Sequence, residues 1–229
     1  MIRLWFYICF CINLKNKVMN VYFKPWIGCN FSSRKPKILV VGDSLYCGDE
    51  CSENCGVRGK GPIEEFGCSN FTNNMVTEYI NFRRGVGKKV NWMTKTFLRF
   101  DKILYGKEDV SVDDSIQLWE SIVYYVFVQT AKSSTPSNTN YSAEDYADSS
   151  LMALDVIKEF RPDIVIIWGN RAYESFSDEG WHNFENNISG YYELNDGHKA
   201  YCIKINHPSR SIVEDWHNIL NEFIKSNVE

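Results

Sequence analysis

The stretch DIVIIWG, residues 163–169, decides how the fold is read. Ile164, Val165, Ile166 and Ile167 are all β-branched and leave no polar side. A strand with that pattern is buried on both faces, as in a parallel sheet covered by helices. Pro162 stops any preceding helix, and Gly169 ends the run. Two further runs read as strands: the apolar, largely β-branched KILVV at 37–41 stops at Gly42, and AYCIKIN at 200–206 stops at His207 and Pro208. Apolar spacing predicts helices over 71–82 and 91–105, while WESIVYYVFVQT at 119–130 reads as helix running into strand. SSTPSNTN at 133–140 is a loop. Ser142 with Asp145 forms a capping box that opens a helix ending at Phe160. Helical residues follow over 171–176, and then a polar, aromatic-rich connection over 177–199. Ser211 with Glu214 forms a second box, opening a last helix that buries Ile212, Trp216, Ile219, Leu220 and Phe223. The alternation predicts an α/β fold, a three-layer α/β/α domain around a mainly parallel sheet. In such sheets ligands lie beyond the carboxyl ends of the strands. The loops that start at Gly42, Gly169 and His207 are therefore candidates for lining one cleft.

A chain of 229 residues suits one such domain. Its net charge of -4 excludes nucleic-acid binding by bulk charge, so any such contact needs a local patch. The N-terminal run 4–12 is apolar but shorter than the ~20 residues that span a bilayer, and no small-residue cleavage site follows it. Residues 1–18 are expected to lie upstream of a true start at Met19, the alternative being a signal or membrane anchor; the domain is then 19–229. On that start the protein is expected to be cytoplasmic, free of the membrane, monomeric and reduced at its thiols.

Gly42-Asp43-Ser44-Leu45 resembles the first block of the Gly-Asp-Ser-Leu lipases and esterases, which would make Ser44 a nucleophile. Such an enzyme also needs a histidine base, an orienting carboxylate and oxyanion donors. That family places its base in a late Asp-x-x-His element. The histidines here, His182, His198, His207 and His217, follow Glu179, Asn195, Lys204 and Glu214 at that spacing. Arg171 stands where the family carries its oxyanion asparagine. The serine esterase thus remains an alternative resting on one block.

Taken together, the three loops resemble the uracil-DNA glycosylase superfamily. IVIIWGNRAYESF at 164–176 and INHPSRS at 205–211 are similar to its last two strand ends, and GDSLYCG at 42–48 to its first motif. NFTNNMV, SIVYYVFVQ and EDWHNIL are similar to blocks of an uncharacterised bacterial branch. The resemblance covers residue 35 to the C-terminus. It implies a DNA glycosylase-like protein that binds a flipped-out base and hydrolyses its N-glycosidic bond. His207 would stabilise the anionic leaving base, and Asp43 and Ser44 would hold the attacking water. Gly42, Tyr46, Phe71 (or Phe66) and Val126 would form the base pocket. Ser209 and Arg210 would touch DNA, with Ile212 or Val213 as a wedge. Two positions depart from the pattern: Ser44 replaces the water-activating aspartate, and Val126 replaces the asparagine that reads uracil. Uracil specificity therefore does not carry over, and a noncatalytic module binding nucleic acid or a nucleotide is the second expectation.

Four of the eight cysteines, Cys47, Cys51, Cys55 and Cys68, cluster after the first strand. Their spacing is not that of paired C-x2-C zinc modules, yet structural zinc or an iron-sulfur cluster is a candidate, with reduced thiols as the alternative. The chemistry itself requires no cofactor. NFRRGVGKKV at 81–90 gathers Arg83, Arg84, Lys88 and Lys89 into a candidate phosphate patch or a solvated loop.

Overall fold

The computed structural model describes residues 21–47, 68–130, 132–133 and 141–228, with the backbone alone at Tyr46, Cys47, Lys132 and Ser133. The segment 1–18, Cys51, Cys55 and Phe66 lie outside these residues. The strands are β1 (Trp26–Ile27), β2 (Ile38–Gly42), β3 (Tyr46–Cys47), β4 (Ile122–Val126), β5 (Lys132–Ser133), β6 (Ile164–Trp168), β7 (Trp181–Asn183), β8 (Ser189–Glu193) and β9 (Lys199–Ile205). The helices are α1 (Phe71–Arg83), α2 (Leu98–Tyr105), α3 (Val112–Trp119), α4 (Ala143–Phe160), α5 (Asn170–Glu174) and α6 (Val213–Val228).

Among the described residues, seven strands form one sheet in the order β1-β4-β2-β6-β9-β8-β7. The four central strands β4, β2, β6 and β9 run parallel. The outer strands β1, β8 and β7 pair antiparallel, so the sheet is mixed, with a parallel centre. The strands read from the sequence lie in that centre, where buried residues pack on both faces. Alternate residues feed two cores. Val40, Tyr124, Ile166 and Ile203 pack with α1, α2, α3 and α6 on one face. Leu39, Val123, Ile167 and Cys202 pack with α4 on the other.

The capping box of Ser142 and Asp145 opens α4, which ends at Arg161 in the left-handed conformation. Three expectations need correction. The connection 177–199 carries the β7–β8 hairpin, which extends the sheet. The expected helix over 91–105 contains a π-helical turn, Met93–Phe97, before α2. The last helix begins at Val213, with Ile212 63% exposed and Ile219 exposed, while Leu220 and Phe223 are buried. Helix α3 was not anticipated, although Ser111 caps it by accepting from Asp114 N. It covers a buried acid: Asp101 of α2 accepts from Tyr79 Oη of α1, and from Ser115 Oγ and Trp119 Nε1 of α3.

The connection after β2 crosses one face to reach β4, while the one after β6 runs over the other face, where Ala172 of α5 is buried. Neighbouring strands whose connections part in this way make a topological switch point, where open α/β sheets bind ligands. Here it lies between Gly42 and Gly169.

Candidate functional site

Gly42 ends β2 against the Tyr124 hydroxyl, which a Cβ at this position would strike. The next peptides are pinned to the chain beyond β4: Phe127 N donates to Gly42 O and Val128 N to Asp43 O. Asp43 turns toward α4, and Tyr146 Oη donates to its Oδ1 at 3.3 Å. Burial raises the pKa of the Asp43 carboxyl, while Tyr146 and the Arg171 guanidinium of α5 act to lower it. Tyr146 also lines an open groove of about 420 Å³ with Ser150, Leu151 and Phe176. Ser44 is half-buried. Tyr141 Oη donates to Leu45 O, and β3 pairs with β5, so the loops after β2 and β4 are joined twice more.

Gly169 leaves β6 with φ 96°. Trp168 just before it is buried, and its ring packs on Tyr124 and edge-on to His207, at centroid distances of 5.4 and 6.1 Å. His207 follows β9 and begins the 3-10 turn Pro208–Arg210. Ser209 N donates to His207 Nδ1 at 3.3 Å, and Ser209 Oγ lies 2.8 Å from the same atom. A nitrogen that accepts a backbone N–H carries no proton, so the neutral ring keeps its hydrogen on Nε2. Burial and the nearby Arg210 lower the pKa of His207 and favour that neutral form. β2 and β9 flank β6, so the Gly42 and His207 loops stand two strand spacings apart, about 10 Å.

The other histidines stand elsewhere. His198 Nε2 meets Pro162 O before the start of β6, His217 Nδ1 meets Ile103 O of α2, and His182 stacks on Tyr191 of β8. His207 makes no hydrogen bond to a carboxylate among the described residues. The orienting acid that a Ser44 nucleophile would need is thus not assembled there.

The remaining candidates divide between surface and core. Ser209, Arg210 and Ile212 are exposed beside His207. Phe71 is half-buried at the start of α1 and packs against the core that contains Leu45 and Trp168. Val126 has no exposed surface, so it serves packing and offers a base nothing to touch. The side chain of Tyr46 lies outside the described atoms. So do those of Cys47, Cys51 and Cys55; Cys68 opens a 3-10 turn before α1. Among the described residues no group of three His, Cys, Asp or Glu side chains could hold a metal ion. The expected basic patch is partly committed elsewhere. Arg83 donates to Val110 O and Ser111 O, and Arg84 pairs with Glu120 at 3.5 Å. Lys88 and Lys89 are exposed.

Tyr146, Arg171, Trp168 and Ser211 were not anticipated as site residues. Arg171 and Trp168 flank Gly169 in the sequence, but nothing there shows what they face. Neither protein-family models nor curated proteins match the sequence. What fold and edge define is an α/β protein with a candidate ligand site at the sheet's switch point. Among the described residues no helix is long and apolar enough to cross a membrane.

Proposed function

We propose that the protein binds a flipped-out base of DNA, or a nucleotide, at the carboxyl edge of the sheet and hydrolyses its N-glycosidic bond. The observation that carries this reading is His207, a neutral imidazole whose Nε2 hydrogen meets no acceptor among the described residues. Cleavage leaves the pair of bonding electrons on the base, and negative charge gathers on its carbonyl oxygen. A fixed neutral donor stabilises that charge as it develops. Asp43 is the better water-orienting base of the first loop: burial raises its proton affinity, whereas a serine hydroxyl is a poor base at neutral pH. Ser44 then serves as a hydrogen-bonding partner of the water. Arg210 offers a cation to phosphate, and exposed Ile212 an apolar edge to the stack.

A noncatalytic module binding the same ligands is the second reading. It is favoured by the burial of Val126, since the position expected to read the base is taken up by packing and supplies no hydrogen bond for discrimination. Oligonucleotides carrying different altered bases, scored for abasic sites, separate the two. The enzyme is expected to yield abasic product on at least one of them, with a loss on the order of 100-fold in His207→Gln. Binding with no abasic product on any substrate establishes the module instead.

A further inference from the structure

The turn that carries His207 is held from below by residues that the reaction itself does not require. Ser211 is 1% exposed, and its Oγ lies 3.0 Å from Asn206 O and 3.2 Å from His207 O. The carbonyl of Ser211 accepts from Arg99 Nε of α2 at 2.9 Å. Two backbone bonds close the same turn, Arg210 N to His207 O and Ser211 N to Pro208 O. The His207 carbonyl therefore accepts from Arg210 N and shares the single Ser211 hydroxyl hydrogen with the nearer Asn206 carbonyl, while Ser209 holds the ring at Nδ1. The sequence pattern assigns Ser211 to capping the last helix, yet that helix starts at Val213 and the Ser211 hydroxyl points back to the turn. Burying a hydroxyl is costly unless it is hydrogen-bonded, and here its one hydrogen is shared between the two carbonyls on either side of the His207 nitrogen.

We infer that Ser211 and Arg99 are positioning residues that hold the His207 turn so that Ser209 caps Nδ1 and the ring keeps its hydrogen on Nε2. The chain of contacts runs from α2 through Arg99 to the Ser211 carbonyl, and from the Ser211 hydroxyl to the His207 carbonyl. It links the helical layer to the tip of β9, and the π-helical turn before α2 packs against the same turn. Without the hydroxyl, the Asn206 and His207 carbonyls lose a donor, and the Ser209 amide is no longer fixed against Nδ1.

The inference rests on the reading of His207 as the working group, but its test reads the ring itself. Long-range nitrogen–proton NMR of the imidazole at neutral pH reports which nitrogen carries the hydrogen, with His207→Gln identifying the signal. The wild-type protein is expected to show the Nε2–H form. In Ser211→Ala the ratio of the two tautomers should shift about fivefold toward Nδ1–H, the effect of losing one net hydrogen bond. Ser211→Thr, which keeps the hydroxyl, should restore it. Arg99→Gln, at a half-buried position, should shift it in the same direction by less, and carries the test if Ser211→Ala does not fold. A folded Ser211→Ala, or failing that Arg99→Gln, with an unchanged tautomer ratio overturns the clasp. Absence of glycosidic cleavage in the wild type overturns only the catalytic reading and leaves this measurement standing.

Discussion

Gly169 and Gly42 both end central strands, and each excludes a side chain for a different reason. At Gly169 a Cβ would meet nothing within 4 Å, but φ is 96°, a conformation that L residues rarely adopt. At Gly42 the obstacle is the Tyr124 hydroxyl, in a ring that is 4% exposed and has little room to move. Gly169→Ala is therefore expected to cost about 1–3 kcal/mol through backbone strain alone. Urea unfolding should register that loss without any change in the near-ultraviolet signal of the aromatic core. Gly42→Ala should instead disturb that signal, because Tyr124 packs on both Trp119 and Trp168. A loss of stability at Gly42 with untouched aromatic spectra would contradict this division.

Asp101 ties three helices together at the cost of keeping an acid in the core. Burial pushes its pKa from 3.8 up to about 6, against the opposing pull of its three donors. Between those values the folded chain holds a proton that the unfolded chain has released. The stability gained from that proton is complete below about pH 3.8, falls as pH rises through about 6, and stays lost above it. About 3 kcal/mol is involved at most. Asp101→Asn is expected to flatten urea-measured stability between pH 4 and 6, though not fully, since Asp43 is raised too and contributes with the same sign. A slope identical to wild type would remove Asp101 from this role.

The same elements show why some of the molecule was legible and some was not. β2 and β6 stood out because their apolar runs have no polar face to place in water, β9 because its short apolar run stops at His207 and Pro208, and α4 because its capping box is a local signal. Helix α3 was hidden because its buried face includes Ser115, whose burial makes sense only once Asp101 is opposite. The β7–β8 hairpin was hidden because it lies where the sheet has one covered side, and its residues read as polar loop. At the site, glycines and the histidine after strand ends were visible as positions. Tyr146 on α4 and Arg99 on α2 reach the site loops only through tertiary packing. Val126 aligned with a pocket residue by order along the chain, but order does not say which side chains a core will cover.

Two layers of helix over one sheet make a claim about the molecule that neighbouring residues can test. Ile166 and Ile167 are adjacent in β6 and fully buried, yet they point into different cores. Ile166→Ala and Ile167→Ala should each cost about 2–5 kcal/mol. Chemical denaturation of both variants is the check, and a near-neutral outcome for either would mean that one face is not packed as described. The limits of the sheet carry a different consequence. Among the described residues its outermost strands are short, two residues in β1 and three in β7, and His182 of β7 stacks on Tyr191 of β8. Unpaired strand backbone is what lets a sheet recruit a stranger's chain, and short outer strands are one way proteins limit it. A parallel centre this apolar would readily polymerise if it stood at the border. Here it is fenced on either side by antiparallel pairs that stop within a few residues, so each border has few hydrogen bonds to offer a growing fibril.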